Sequence, residues 1–152
     1  MDVRLFAAVA AALMLIVGVM WVVPTTPNSN SFTFDAARRD ISDARPIELA
    51  STVQGTLVDG SDVDFYRINP LETPSHLDVR MTNGSAKLIP GLRIIDATKN
   101  VVQDKSEEYL RRPGAGIDST FVAQPSMTYY IEVFGQRNTS GPYTLTVTRR
   151  QP

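Results

Sequence analysis

Hydrophobic residues follow two different rules along this chain. From Leu5 to Val23 they form one block: nineteen positions without a charge, eighteen of them hydrophobic, with Gly18 the exception. From Arg45 onward they recur every second residue. Thr52–Leu57 and Val63–Asn69 read as short strands, and His76–Met81, Met127–Phe134 and Tyr143–Thr148 each set apolar side chains at every second position. Strict alternation marks antiparallel strands with one wet face. It sends Tyr66 and Ile68 inward, as it does Leu77, Val79 and Met81. Met127, Tyr129, Ile131 and Val133 share a face, as do Tyr143, Leu145 and Val147. Shorter runs at Leu92–Asp96, Val101–Gln103 and Ser119–Ala123 predict three more strands, and Pro46–Leu49 a first one. Turn signals separate them: Asp59-Gly60, Asn83-Gly84, Pro90-Gly91, Pro113-Gly114 and Ser140-Gly141. About eight short strands at this spacing predict an all-β sandwich or barrel in residues 45–152.

The first block predicts a transmembrane helix in residues 1–23. Nineteen residues at 1.5 Å each span about 28 Å, close to the roughly 30 Å hydrocarbon core. Leu5, Phe6, Leu13, Leu15 and Ile16 would anchor the chain in the membrane, Trp21 would sit at the interface, and Pro24 ends the run. Arg4 precedes the block, and the next basic residues are Arg38 and Arg39. That bias favours the N-terminus in the cytoplasm and the rest in the periplasm or outside the cell. The rival reading is a cleaved signal peptide. Such a peptide has a shorter apolar core and a small-x-small exit, whereas this exit reads Trp21-Val22-Val23-Pro24. Residues 24–44 then form a linker. It starts with a polar stretch over 24–31, and Asp35 is placed to cap a short helix.

Composition sharpens this division. The whole chain is 43% hydrophobic, but residues 24–152 reach only about 35%. A polar sandwich of that size has little apolar material for a deep pocket. Zero cysteines exclude disulfides, thiolate metal sites and a cysteine nucleophile. A net charge of −1 gives no electrostatic footprint for nucleic acid.

Four blocks resemble the bacterial pre-peptidase C-terminal domain. Gly55-Thr56-Leu57 followed by Asp62-Val63-Asp64-Phe65-Tyr66-Arg67-Ile68 matches its opening. Leu92-Arg93-Ile94-Ile95-Asp96 matches its central strand. Tyr129 to Gly135 and Ser140 to Val147 match its closing pair. The resemblance covers roughly Ala44 to Arg150. It implies a jelly-roll-like β-sandwich with a role in binding or secretion. Such domains usually trail exported enzymes, whereas this one stands behind a predicted anchor.

Candidate chemistry is sparse. His76, the only histidine, is the one residue a Ser-His-Asp hydrolase could use, and no G-x-S-x-G elbow accompanies it. Asp59, Asp62 and Asp64 supply three carboxylates within six residues, the best calcium candidate; the competing reading is turn chemistry. No other cofactor is expected. Phe65, Tyr130 and Phe134 can face outward, and Arg111 and Arg112 form an exposed basic pair, so these five are candidate partner contacts. The expected function is a non-enzymatic membrane-anchored accessory subunit of a larger membrane complex, respiratory or photosynthetic. The alternative is a tethered module for a carbohydrate, matrix or peptide ligand. A small-molecule substrate is not expected.

Overall fold

The structure is a computed structural model that describes residues 40–106 and 112–151. Within it, the period-two segments become nine strands: β1 (Arg45–Pro46), β2 (Thr52–Leu57), β3 (Val63–Ile68), β4 (Ser75–Asn83), β5 (Pro90–Asp96), β6 (Val101–Asp104), β7 (Ile117–Ala123), β8 (Tyr129–Gly135) and β9 (Gly141–Arg149). They form two sheets, ordered β1-β3-β8-β5-β6 and β2-β9-β4-β7. All pairings are antiparallel except β1 with β3. Leaving out β1, the chain crosses repeatedly between sheets in an arrangement of the jelly-roll kind.

Alternation decides which side chains meet between the sheets. Tyr66, Ile68, Leu92, Ile94, Ile131 and Val133 come from one inner face. Leu57, Leu77, Val79, Met81, Leu145 and Val147 come from the other. Ile47 and Leu88, from connecting segments, close the ends of the same cluster.

Three expectations need correction. The first strand is not Pro46–Leu49: only Arg45 and Pro46 pair, in parallel with Tyr66 and Arg67, after which Ile47 dives into the core. Met127 does not share the inward face of β8. Ser126 takes a left-handed conformation (φ 59°), which turns the chain before the strand begins at Tyr129 and leaves Met127 exposed. Phe65 lies on the outer side of its sheet but is buried there.

Asp40 accepts a hydrogen bond from the Ser42 N–H (3.2 Å) and so caps a single 3-10 turn over Ile41–Asp43 that leads into β1. Among the described residues no helix is long and apolar enough to cross a membrane. The predicted anchor, with Leu5, Phe6, Leu13, Leu15, Ile16 and Trp21, and the helix predicted at Asp35 lie outside the described residues.

Candidate functional site

The acidic segment before and within β3 is divided among three structural tasks. Asp59 makes the β2–β3 turn: its Oδ1 accepts from the Ser61 N–H (2.8 Å) and the Ser61 hydroxyl (2.7 Å). Asp62 is buried, and its Oδ2 accepts from the Val58 N–H at 2.8 Å, which ties the two ends of the turn together. Asp64 is buried in the core, where it accepts a hydrogen bond from the Tyr143 hydroxyl. That bond ends a relay. The Arg45 Nη2 donates to the Tyr66 hydroxyl (3.2 Å), which lies 2.7 Å from the Tyr143 hydroxyl. With Tyr143 donating to Asp64, Tyr66 is the donor to Tyr143. The two rings meet edge to face at 6.5 Å.

The relay gives a physical reason for the spacing of the resemblance. A Cβ on Gly55 would stand 2.3 Å from the Tyr143 ring, so glycine is what lets that ring lie against β2. Asp64, Tyr66, Gly55 and Tyr143 come from three strands and interlock at one point. Burial, the Tyr66 hydroxyl and the Asp64 carboxylate together push the Tyr143 phenol well above its ordinary value. Among the described residues no group of three or more His, Asp or Glu side chains is arranged to hold a metal ion.

His76 is exposed on the outer face of β4. Its neighbour Ser75 points to the opposite face, is buried, and donates to the Thr73 carbonyl at 3.0 Å. Strand geometry therefore separates the adjacent Ser-His pair. Asp78, on the same side as His76, is engaged by Arg150 (2.7 Å) and Thr120 (2.8 Å). The hydrogen bond from Arg150, then that from Thr120, hold its carboxyl below the usual value. An open cleft of about 590 Å³ lies beside Thr73, Ser75, His76, Arg149 and Arg150.

The two outer faces of the sandwich differ in character. The four-stranded sheet presents paired polar side chains: Thr52 with Thr146 (2.9 Å), Thr82 with Thr144, and Arg80 with Asp118 (2.8 Å). On its outer side the five-stranded sheet carries the half-buried Tyr130 and Phe134 and the exposed Val101 beside the buried Phe65 and Ile95, with one ionic row across its middle. In that row Arg93 pairs with Asp104 (3.0 Å) and Glu132 (3.3 Å) and stacks over the Phe134 ring at 4.7 Å. Partial burial opposes the guanidinium charge, but Asp104 and Glu132 outweigh it and raise the Arg93 pKa. The structure thus places Phe65, Tyr130 and Phe134 on one face. Arg112 is exposed in the β6–β7 loop, and Arg111 lies outside the described residues. Ile95, Arg93 and Glu132 escaped the sequence reading. The available signal was the apolar doublets Phe65-Tyr66 and Ile94-Ile95, which place a large side chain on each face of a strand.

Among solved structures, the chain is similar to the pre-peptidase C-terminal domain of a collagenase from Bacillus anthracis. The identity is 24%, with 70% of this chain and 95% of that one covered, and the TM-score is 0.57. It is also similar to the periplasmic inhibitor of g-type lysozyme from Aeromonas hydrophila. There the identity is 14%, with 70% and 96% covered, and the TM-score is 0.51. Both likenesses show a shared β-sandwich fold. No family model and no curated protein sequence matches the chain.

Proposed function

We propose that this chain is a non-enzymatic accessory subunit, anchored by residues 1–23, whose β-sandwich lies on the periplasmic or extracellular side and binds or stabilises a larger membrane protein complex. The observation that carries this reading is the asymmetry between the outer faces. The four-stranded sheet pairs its threonines and ions with one another beside a single exposed valine, Val122, while the five-stranded sheet carries Tyr130, Phe134 and Val101 at its outer surface. Enrichment of aromatics and arginine is part of the composition of a protein contact. Tyr130, Phe134 and Arg93 fit that description.

Two further points support it. The buried carboxylates hold turns and the core, and Ser75 is turned away from His76 and bonded to the Thr73 carbonyl, so the described chemistry suits binding better than catalysis. The lysozyme inhibitor, by its name, acts on another protein, which supports protein contact as a use of this fold. Energy-transducing complexes, respiratory or photosynthetic, are the host class we favour, because a small anchored domain with a balanced surface suits a peripheral position on such an assembly. The likeness to a collagenase's C-terminal domain supports a second reading, a tethered module for a carbohydrate, matrix or peptide ligand.

Purification of tagged full-length protein in mild detergent tests the first reading. The expected result is a stoichiometric membrane-protein partner that is lost with Tyr130→Glu. Recovery as a lone monomer overturns it, and binding to a glycan or matrix ligand instead favours the second.

A further inference from the structure

The open cleft of about 590 Å³ lies where β9 ends beside the start of β4. Its described lining holds two guanidinium groups and an imidazole but no carboxylate. Strand alternation brings two neighbouring arginines there from different sides. Tyr143, Leu145 and Val147 of β9 point inward, and Arg149 continues that register opposite Leu77 of β4. Leu77 is buried, whereas Arg149 is exposed at the open end of the sandwich. An apolar residue at this position would have extended the core; arginine places a charge there instead. Arg150 turns to the outer side, where its N–H donates to the His76 carbonyl at 2.9 Å.

The two guanidinium groups are held differently. Arg150 donates to Asp78 from Nε (3.1 Å) and from Nη2 (2.7 Å), and Nη2 also reaches the Thr120 hydroxyl at 3.3 Å. That fork fixes the group and leaves Nη1 as its spare donor. Arg149 has no ion-pair partner among the described residues. An arginine fork suits phosphate and carboxylate alike. Here the donors come from Arg149 and Arg150 on different sides of β9 and from His76 on β4. A tetrahedral phosphate accepts from several directions at once, whereas a planar carboxylate accepts mainly near its plane. The cleft also exceeds a bare oxyanion and falls in the size range of small-molecule sites, about 300–1,000 Å³. Thr73 and Gln151 make the rest of its lining polar and uncharged.

We propose that this cleft binds a phosphate ester of a small polar alcohol. The phosphate meets Arg149, Nη1 of Arg150 and His76, and the alcohol lies against Thr73 and Gln151. Asp78 serves as a positioning residue that aims the Arg150 fork. The ester is either a free solute or the headgroup of a lipid. The site lies on the four-stranded sheet, away from Tyr130 and Phe134, and rests on neither reading of the protein's function.

Calorimetric titration of the full-length protein in an uncharged detergent at low salt tests the site. Glycerol 3-phosphate is expected to bind saturably, inorganic phosphate more weakly, and glycerol not at all. Arg149→Gln is expected to weaken binding about ten-fold or more, the usual size of a lost charge-assisted hydrogen bond, and Arg149→Lys to weaken it less. Arg80→Gln, which breaks the exposed pair with Asp118 elsewhere on β4, is expected to leave binding unchanged. Both glutamine variants should keep the parent's unfolding temperature, because both arginines are exposed. Mixed micelles carrying phosphatidic acid, with diacylglycerol as control, separate the two sources. Saturable, Arg149-dependent binding there without binding of glycerol 3-phosphate assigns the site to a lipid headgroup, and binding of glycerol 3-phosphate assigns it to a free ester. No saturable binding to either probe, or equal losses from Arg149→Gln and Arg80→Gln, would overturn the site. Acetate or inorganic phosphate binding as tightly as the ester would overturn it too.

Discussion

Tyr143 carries the largest single consequence at the scale of the residue. Its hydroxyl is the donor to the buried Asp64 and the neighbour of the Tyr66 hydroxyl. Tyr143→Phe keeps the ring and removes that donor, leaving a buried carboxylate short of a partner. The expected loss is about 1–3 kcal/mol, read by chemical denaturation. A pH dependence follows from the raised phenol. The folded state holds Tyr143 neutral, so its contribution is complete below the ordinary phenol value of 10.0 and is lost as pH rises beyond it. The Phe variant should lose less stability over that alkaline range than the parent. Gly55→Ala tests the same point from the other side. Its Cβ would overlap the Tyr143 ring, and the cost should be about 1–3 kcal/mol from overpacking. The resemblance motif was readable in the sequence, but its reason was not. Asp64 in β3 and Tyr143 in β9 are 79 positions apart, and only the packing of one sheet on the other brings them together.

Among the elements, the strands were legible wherever one face is wet and the other dry. β4, with Leu77, Val79 and Met81 inward and His76, Asp78 and Arg80 outward, follows the sequence pattern throughout. β1 was not legible, because two residues carry no period and Ile47 is buried as a loop residue. The turn before β8 was missed because a left-handed Ser126 leaves no compositional mark. Spacing alone makes Asp59, Asp62 and Asp64 calcium candidates. Spacing does not show that Asp59 stays in a surface turn while Asp62 and Asp64 face inward. At this scale the β4–β7–β9 arrangement makes an acid-side prediction. The Asp78 carboxyl is held below 3.8, chiefly by Arg150 and then Thr120. Its contribution is present above that value and lost as pH falls through the lowered one. Asp78→Asn should therefore reduce thermal stability near neutrality, and its difference from the parent should vanish in strong acid. Leu145→Ala, in β9 at the centre of the core, should cost about 2–5 kcal/mol in the same assay.

For the whole molecule, what matters is which face is committed to what. One outer face is closed by its own threonine pairs and ion pairs, and the other combines aromatics with a row of ions. The sequence located Phe65, Tyr130 and Phe134 as outward candidates, yet it could not show that strand order brings them onto one sheet beside Ile95. Under the proposed function that sheet would contact a membrane partner. A photoreactive phenylalanine analogue placed at position 130, and separately at position 146, measures this most directly in intact membranes. The account predicts a crosslink to one other membrane protein from position 130 and none from position 146. No adduct from position 130, or the same adducts from both faces, would contradict it.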